Sequence, residues 1–386
     1  MSKDLSIIDL FAGAGGFGLG FQLAGYNPIC SLEYDKWAAD TLKENNGHKI
    51  LNDDILNFRD KKEIFKAVDS KPSIIIGGPP CQGFSNAGKK RKEDPRNKMY
   101  VEYLNWVNIF KPTIFVIENV RGILTFKNSN GKNVIDDIIE KIESIGYQVS
   151  IWKLNAANYG VPQNRQRAFI VGHKTEKDIP PPPITHSLVN DKLYNPITVA
   201  QAISDLPKIS AKEGFEIMDY QHDTTNDYQA YLKAKNTKLY NHVAMRHTPR
   251  VVNRYQKIIE GEKIEDMCDS LKVRKRNGNG ELSEISFSLN YRYLKPDEAS
   301  YTIPAHFYSS FIHPFIPRNI TTREAARIQS FPDSYRFMGK RTMISSKLLK
   351  RLGKEELNHL SQYNQVGNAV PPILSKAIAM HLIKYM

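Results

Sequence analysis

Short runs of β-branched and other apolar residues alternate with longer amphipathic stretches from the start of the chain to about residue 172, and this limits the first half to few architectures. The runs at 6–10, 28–32, 73–76, 113–117 and 168–171 read as strands, while 37–45, 100–110 and 134–145 carry apolar residues at helical spacing. The order predicts βαβ units, and so an α/β fold whose mostly parallel sheet has helices on both faces. A chain of 386 residues is longer than one core usually serves, which predicts a second domain. Pro180-Pro181-Pro182-Pro183 can continue neither a helix nor a central strand and predicts a stiff, extended linker. Beyond it Lys, Arg, Asn, Tyr and His are frequent without clear alternation, as expected of a smaller, less regular domain. The expected division is 1–183, 184–360 and a segment 361–386, whose final helix (Leu374, Ile378 and Leu382 on one face) returns to the first domain.

The balance of 54 Lys+Arg against 41 Asp+Glu leaves a net charge of +13, which favours a polyanionic partner such as nucleic acid. Cys30, Cys81 and Cys268 are too few and too scattered for a disulfide framework, and no Cys/His spacing resembles a zinc site. No apolar run reaches the length of a membrane span, and a strand that starts almost at once leaves no room for a signal peptide, so a cytoplasmic protein is expected.

Three segments carry chemistry. Gly13, Gly15 and Gly18 form a G-x-G-x-x-G between a strand and a helix, and Glu33 follows at the distance where an acid can accept both hydroxyls of a ribose. A nucleotide-like cofactor fits, and both a nicotinamide enzyme and an S-adenosylmethionine enzyme can be written this way. Cys81 sits in Pro79-Pro80-Cys81-Gln82-Gly83, on a proline-stiffened turn past the apolar run 74–76, where a nucleophile is better explained than a packing residue. Glu118 ends the strand 113–117 at the same sheet edge, and a carboxylate there is desolvated and suited to hold or share a proton. A thiolate with such an acid suits conjugate addition to a heterocyclic ring. In Gln163-Asn164-Arg165-Gln166-Arg167 the two arginines point the same way; Arg165 is the one expected to anchor a phosphate or brace a ring, with a structural salt bridge as the competing role.

Taken together, DLFAGAGGFGLGF, GGPPCQGFS, ENV, QNRQR, RNITTREAARIQSFPD and QVGNAVPP occur in the order found in the DNA (cytosine-5)-methyltransferases, and the chain resembles that family along nearly its whole length. The resemblance implies an S-adenosylmethionine-dependent, Rossmann-like catalytic domain with a smaller target-recognition domain. It implies that Phe11, Gly13, Gly15, Gly16, Glu33 and Tyr34 hold S-adenosylmethionine, with Glu33 on the ribose and Asp54 on the adenine amino group. Pro80 would lie near the methyl donor and Asn368 would close the cofactor site. Cys81 would add to C6 of a cytosine rotated out of a duplex, Glu118 would hydrogen-bond or protonate N3, and Arg165 would hold the base or its phosphate. The products are 5-methylcytosine and S-adenosylhomocysteine, and no metal is needed.

The implied partner is double-stranded DNA, with a cognate restriction endonuclease acting at the same site; a single recognition interval implies a monomer. In the family that interval lies between Arg167 and Arg318, and here it offers Arg246-His247-Thr248-Pro249-Arg250, the cationic stretch 272–280 and Asn290-Tyr291-Arg292-Tyr293. The stretch 340–363 exceeds the family pattern, and its Lys347, Lys350, Arg351 and Lys354 read as a charged surface helix. A tRNA cytosine-5 methyltransferase would use the same chemistry. An NAD-dependent oxidoreductase would leave Cys81, Glu118 and the basic second half unused, and a non-catalytic DNA-binding module would leave every catalytic residue without a task.

Overall fold

The strand runs of the first half assemble into one seven-stranded sheet in the order β3-β2-β1-β4-β5-β8-β6. The computed structural model describes residues 3–68, 70–80, 99–128, 131–275, 280–283 and 291–386. They fall into two units, the first Met1–Gly160, Arg165–Asn195 and Ala369–Met386, the second Val161–Asn164 and Pro196–Asn368. In the first, β1 (Ser6–Leu10), β2 (Asn27–Leu32), β3 (Lys49–Leu51), β4 (Ile74–Gly77) and β5 (Ile114–Val120) run parallel. Beyond β5 the direction changes: β6 (Gln148–Asn155) lies at the edge, the two-residue β7 (Gln163–Asn164) belongs to the second unit, and β8 (Gln166–His173) runs antiparallel to both β5 and β6.

Alternation along each strand sends successive side chains to opposite faces, so a sheet covered on both sides needs strands that are apolar throughout. Ile74-Ile75-Ile76 meets that requirement and is fully buried. On one face, Leu10, Phe115, Ile117 and Ile170 pack with Tyr103, Trp106, Val107 and Phe110 of α4 (Met99–Phe110) and with Ile138 and Ile142 of α5 (Val134–Ser144). On the other, Phe169 of β8 meets Phe17 of α1 (Gly16–Leu23) edge-on at 6.1 Å. The short helices α2 (Lys36–Asn45) and α3 (Lys61–Ala67) begin at Asp35 and Asp60, whose carboxylates accept from Ala38 N and Glu63 N.

The polyproline run is held within the first unit rather than strung free of it. Trp152 Nε1 donates to the Ile179 carbonyl, His381 Nε2 lies 2.8 Å from the Pro180 carbonyl, and Tyr159 Oη donates to that of Pro182. Prolines cannot donate, but their carbonyls are good acceptors for such ties. The first unit accordingly continues to Asn195, past the expected boundary at 183.

Among its described residues the second unit has little regular structure: β9 (Gly214–Asp219) and β10 (Lys238–Val243) form an antiparallel pair among short helices α6 (Val199–Ile203), α7 (Asp227–Lys233), α8 (Pro249–Ile259), α9 (Thr322–Ile328), α10 (Ser346–Leu352) and α11 (Gln362–Asn368). All seven residues of α9 are buried, three of them charged. Arg318 binds Glu324 through two hydrogen bonds of 2.8 and 2.7 Å, and Arg327 joins Asp333 and Asp205, each in bidentate fashion. Arg323 donates instead to the carbonyls of Tyr240, Pro332 and Tyr335. Burial alone would raise the Glu324 pKa; the Arg318 charge overrides it and holds the carboxyl far below its ordinary range. The 340–363 segment closes on itself, with Gln362 N donating to the Lys340 carbonyl, and its Lys347, Lys350, Arg351 and Lys354 are exposed.

One stretch, Gln362–Tyr385, is long and apolar enough to cross a membrane, but it is mostly buried and two prolines divide it into α11 and α12 (Pro372–Leu382). The latter packs on α1, where a Cβ on Gly20 would fall 2.2 Å from Ser375.

Replacing Arg327 by methionine leaves Asp205 buried without its cation and Asp333 with only the more distant Arg323, 3.7 Å away, and a loss of about 3–5 kcal/mol of stability is expected. Urea denaturation measures it; a variant as stable as the parent would contradict this account of the second unit.

Candidate active site

At the carboxyl end of β1 the chain turns sharply into α1. Phe11, Gly13 and Gly15 all have positive φ (55°, 56° and 80°), a conformation easy for glycine and strained for phenylalanine. The Ala12 amide donates to Leu32 O, and the Gly13 amide to Glu33 Oε2 at 2.7 Å, so the end of β2 is stitched to the turn. Glu33 Oε1 accepts from Asp35 N at 2.7 Å. Only 9% exposed, Glu33 has its pKa pushed up by burial to about 7, backbone hydrogen bonds from Asp35, Gly13 and Tyr34 opposing. Asn52 then ties the neighbouring segment down by donating to the carbonyls of Glu33 and Tyr34.

These residues fit a nucleoside-bearing cofactor. A Cβ at Gly13 would meet no heavy atom within 4 Å, so the turn faces open space. Each Glu33 oxygen holds one backbone N–H and keeps lone-pair capacity for a hydroxyl. Asp54, half-buried, starts the single helical turn after β3 by accepting from Leu56 N, and Tyr34 is 74% exposed. Asn368 is exposed at the end of α11 and belongs to the second unit. Sequence reasoning passed over Asp9: it is 1% exposed, accepts from Gly18 N, has no partner for Oδ1 among the described residues, and burial pushes its pKa up to about 8.

The second half of the site stands at the ends of β4 and β5. Gly77 sits where a Cβ would come 2.3 Å from the Leu10 carbonyl, so only glycine lets the strands close up here. Residues 78–80 then lean on β5: a Cβ at Gly78 would lie 3.3 Å from Glu118 Oε2, and Asn119 Nδ2 donates to the Pro79 carbonyl at 3.2 Å. Pro80 is half-buried. Cys81 comes directly after it in the chain and lies outside the described residues.

Glu118 forms an ion pair with Arg167, Nε to Oε1 2.9 Å, with both side chains largely buried. The register explains the pairing: Glu118 faces Phe169 and Val120 faces Arg167, so Arg167 is the diagonal same-face neighbour of Glu118 across an antiparallel pair. Arg165, expected to be the functional arginine, is 1% exposed just before β8; burial first, then the Arg167 charge, pulls its pKa down, and Glu118 opposes this. The ion pair with Glu118 is made by Arg167, and Arg165 lies close enough to feel the same carboxylate.

A turn for a nucleoside and a paired carboxylate beside a Pro-Pro turn stand at neighbouring strand ends. The family model for C-5 cytosine-specific DNA methylase matches residues 5–384. The chain belongs to that family. Among its relatives, the type II methyltransferase M.DdeI of Desulfomicrobium norvegicum is 44% identical over 99% of this chain and 89% of its own length. M1.HphI of Haemophilus parahaemolyticus is 33% identical over 98% and 87%. A solved structure described as a DNA modification methyltransferase encoded within an E. coli prophage superposes with a TM-score of 0.70 at 26% identity, over 98% of this chain and 99% of that one. The DNMT2 of Spodoptera frugiperda, at 15% identity and a TM-score of 0.54 over 98% of both chains, shares the fold.

For a cytosine-5 DNA methylase of this α/β class, a Glu33 near pH 7 in its titration has a consequence. A carboxylate accepts a hydroxyl hydrogen bond more strongly than a carboxylic acid does, so if Glu33 holds the ribose hydroxyls, S-adenosylmethionine affinity should rise as pH increases from 6 to 8, with net release of a proton. Calorimetry across that range checks it, and Glu33→Gln should bind more weakly and lose the Glu33 part of the dependence.

Proposed function

We propose that this DNA methylase methylates C5 of a cytosine rotated out of duplex DNA through a covalent Cys81–C6 adduct, and that it serves as the modification enzyme of a restriction-modification system. The observation that carries the reading is the Glu118–Arg167 pair set against residues 78–80, the peptide that leads directly into Cys81. Rotation of the base costs a few kcal/mol, about what pocket contacts return.

Addition of the Cys81 thiolate to C6 sends the ring electrons toward N3, where Glu118 hydrogen-bonds or delivers a proton. C5 then has enamine character and is nucleophilic. S-adenosylmethionine, when bound, supplies the electrophilic methyl group; Phe11, Gly13, Gly15, Gly16, Glu33, Tyr34, Asp54, Pro80 and Asn368 are the residues proposed to hold it. Removal of the C5 proton returns an electron pair to the ring, the C6–S bond breaks, and Cys81 leaves as thiolate. Arg167 orients the Glu118 carboxylate, and the buried Arg165 adds positive charge that favours the anionic form of a nearby thiol or phosphate. We further propose that the enzyme acts as a cytoplasmic monomer alongside a cognate endonuclease.

Cys81→Ala should abolish methyl transfer to unmethylated plasmid DNA while S-adenosylmethionine binding persists; near-full turnover would remove Cys81 from the reaction. Glu118→Gln should lower kcat by about 10²–10⁴-fold, the usual range for loss of a general acid. A duplex with 5-fluorocytosine at the target position should trap an enzyme–DNA adduct stable to denaturation, because fluorine blocks the elimination; only free protein on the gel would refute covalent catalysis.

A further inference from the structure

Outside the reaction site, one buried cation in the second unit spends its donors on a surface loop. Arg254, on α8, is 4% exposed. Its Nε donates to the carbonyl of Leu271, its Nη2 to that of Lys272 at 3.0 Å, and its Nη1 to Tyr291 Oη at 3.1 Å, with the guanidinium 5.6 Å from the Tyr291 ring centre. Two successive carbonyls held by one planar fork fix both the position and the direction in which the chain leaves Lys272.

From Lys272 the chain enters a two-stranded ribbon. Lys275 N donates to Glu281 O and Ser283 N to Val273 O, with an antiparallel bridge between Arg274 and Leu282. Residues 276–279 lie outside the described residues. On the described arms, Arg274 and Lys275 are exposed and Lys272 is half-buried. Lys272 and Lys275 rest on Asp269 and Glu281, whose side chains are 74% and 66% exposed, and such surface pairs exchange readily for other anions. Arg274 donates to the Gly280 carbonyl and keeps other donors. A two-stranded ribbon fits the major groove of a B-form duplex, and exposed Lys and Arg neutralise its phosphates.

We infer that the ribbon arms 272–275 and 280–283 contact the target DNA, and that Arg254 is the positioning residue that aims them. The inference rests on duplex DNA being the substrate.

The test measures filter binding to unmethylated linear plasmid DNA over a series of salt concentrations, together with methyl-transfer kinetics on the same DNA. Arg274→Ala combined with Lys275→Ala should weaken binding and make log K against log salt shallower by about 0.9 for each phosphate no longer neutralised. S-adenosylmethionine affinity should match the parent. Arg254→Met should raise KM for DNA about tenfold while kcat at saturating DNA holds, and Arg254→Lys, which keeps the charge and loses the fork, should not rescue it. Parental affinity and salt slope in the exposed double variant would overturn the DNA contact, without dependence on how the buried residue tolerates change. Parental KM in either Arg254 variant, or full rescue by lysine, would overturn the positioning role. A parent that binds DNA with a steep salt slope yet transfers no methyl would fail the reading of the reaction and leave the ribbon assignment standing.

Discussion

The site depends on how closely β1 and β4 approach at their carboxyl ends. The Leu10 carbonyl occupies the space that a side chain at position 77 would need, and glycine alone allows it. From that contact the Gly-rich turn after β1 and the Pro-Pro turn after β4 leave the sheet side by side. In parallel sheets the carboxyl ends of strands bear the ligand crevice, because loops there diverge and expose backbone groups. Here Glu33, residues 78–80 and Glu118 all fall at such ends, and Tyr103 reinforces the alignment by donating to the carbonyls of both Ile75 and Val116. Acidic groups brought to these ends lose solvation, which is the first cause of the raised Asp9 and Glu33 values.

The second unit solves a different problem. Among its described residues no strand exceeds six residues, too short to bury a broad apolar face, and its centre is α9, a helix whose charged residues point inward. Ion pairs at depth contribute little net stability over apolar packing, but removing one partner is severe, so the arrangement specifies geometry more than it adds strength. Burial keeps His242 and His313 neutral, pulling them to about 4 and about 3, and a neutral His313 Nδ1 can accept the amides of both Phe315 and Ile316. A fold held by such directional contacts can carry loops of varied sequence on its surface. The Arg254 fork applies the same device to one of those loops.

Parts of the fold were readable from the chain, and the misses have physical causes. The strands read at 6–10, 28–32, 73–76, 113–117 and 168–171 are apolar because both faces of a central strand are covered. β6 was not read because its pattern is disguised: Ser150 points inward, pairing with His173 and accepting from Ile179 N, while Ile151 is 38% exposed. β3 has only three residues, too few for a period to register. The burial of Arg318, Arg323 and Arg327 was equally hidden, since an isolated arginine in sequence signals surface and these three find their partners up to 122 residues away.

Local chemistry and order are what the chain itself determined. A glycine-rich turn, a cysteine after two prolines, an acid ending an apolar strand and the succession of motifs need only neighbouring residues to be recognised, and they suffice for the reaction class. Tertiary structure set Arg167 against Glu118. Arg165 and Arg167 are equivalent by spacing, and only the antiparallel register of β8 on β5 sets Arg167 diagonally across from the carboxylate. The same holds for Arg254, whose role depends on carbonyls 17 and 18 residues away and on a tyrosine 37 residues away. Contacts of that range are fixed by packing and hydrogen-bond geometry, which no pattern in a linear chain displays.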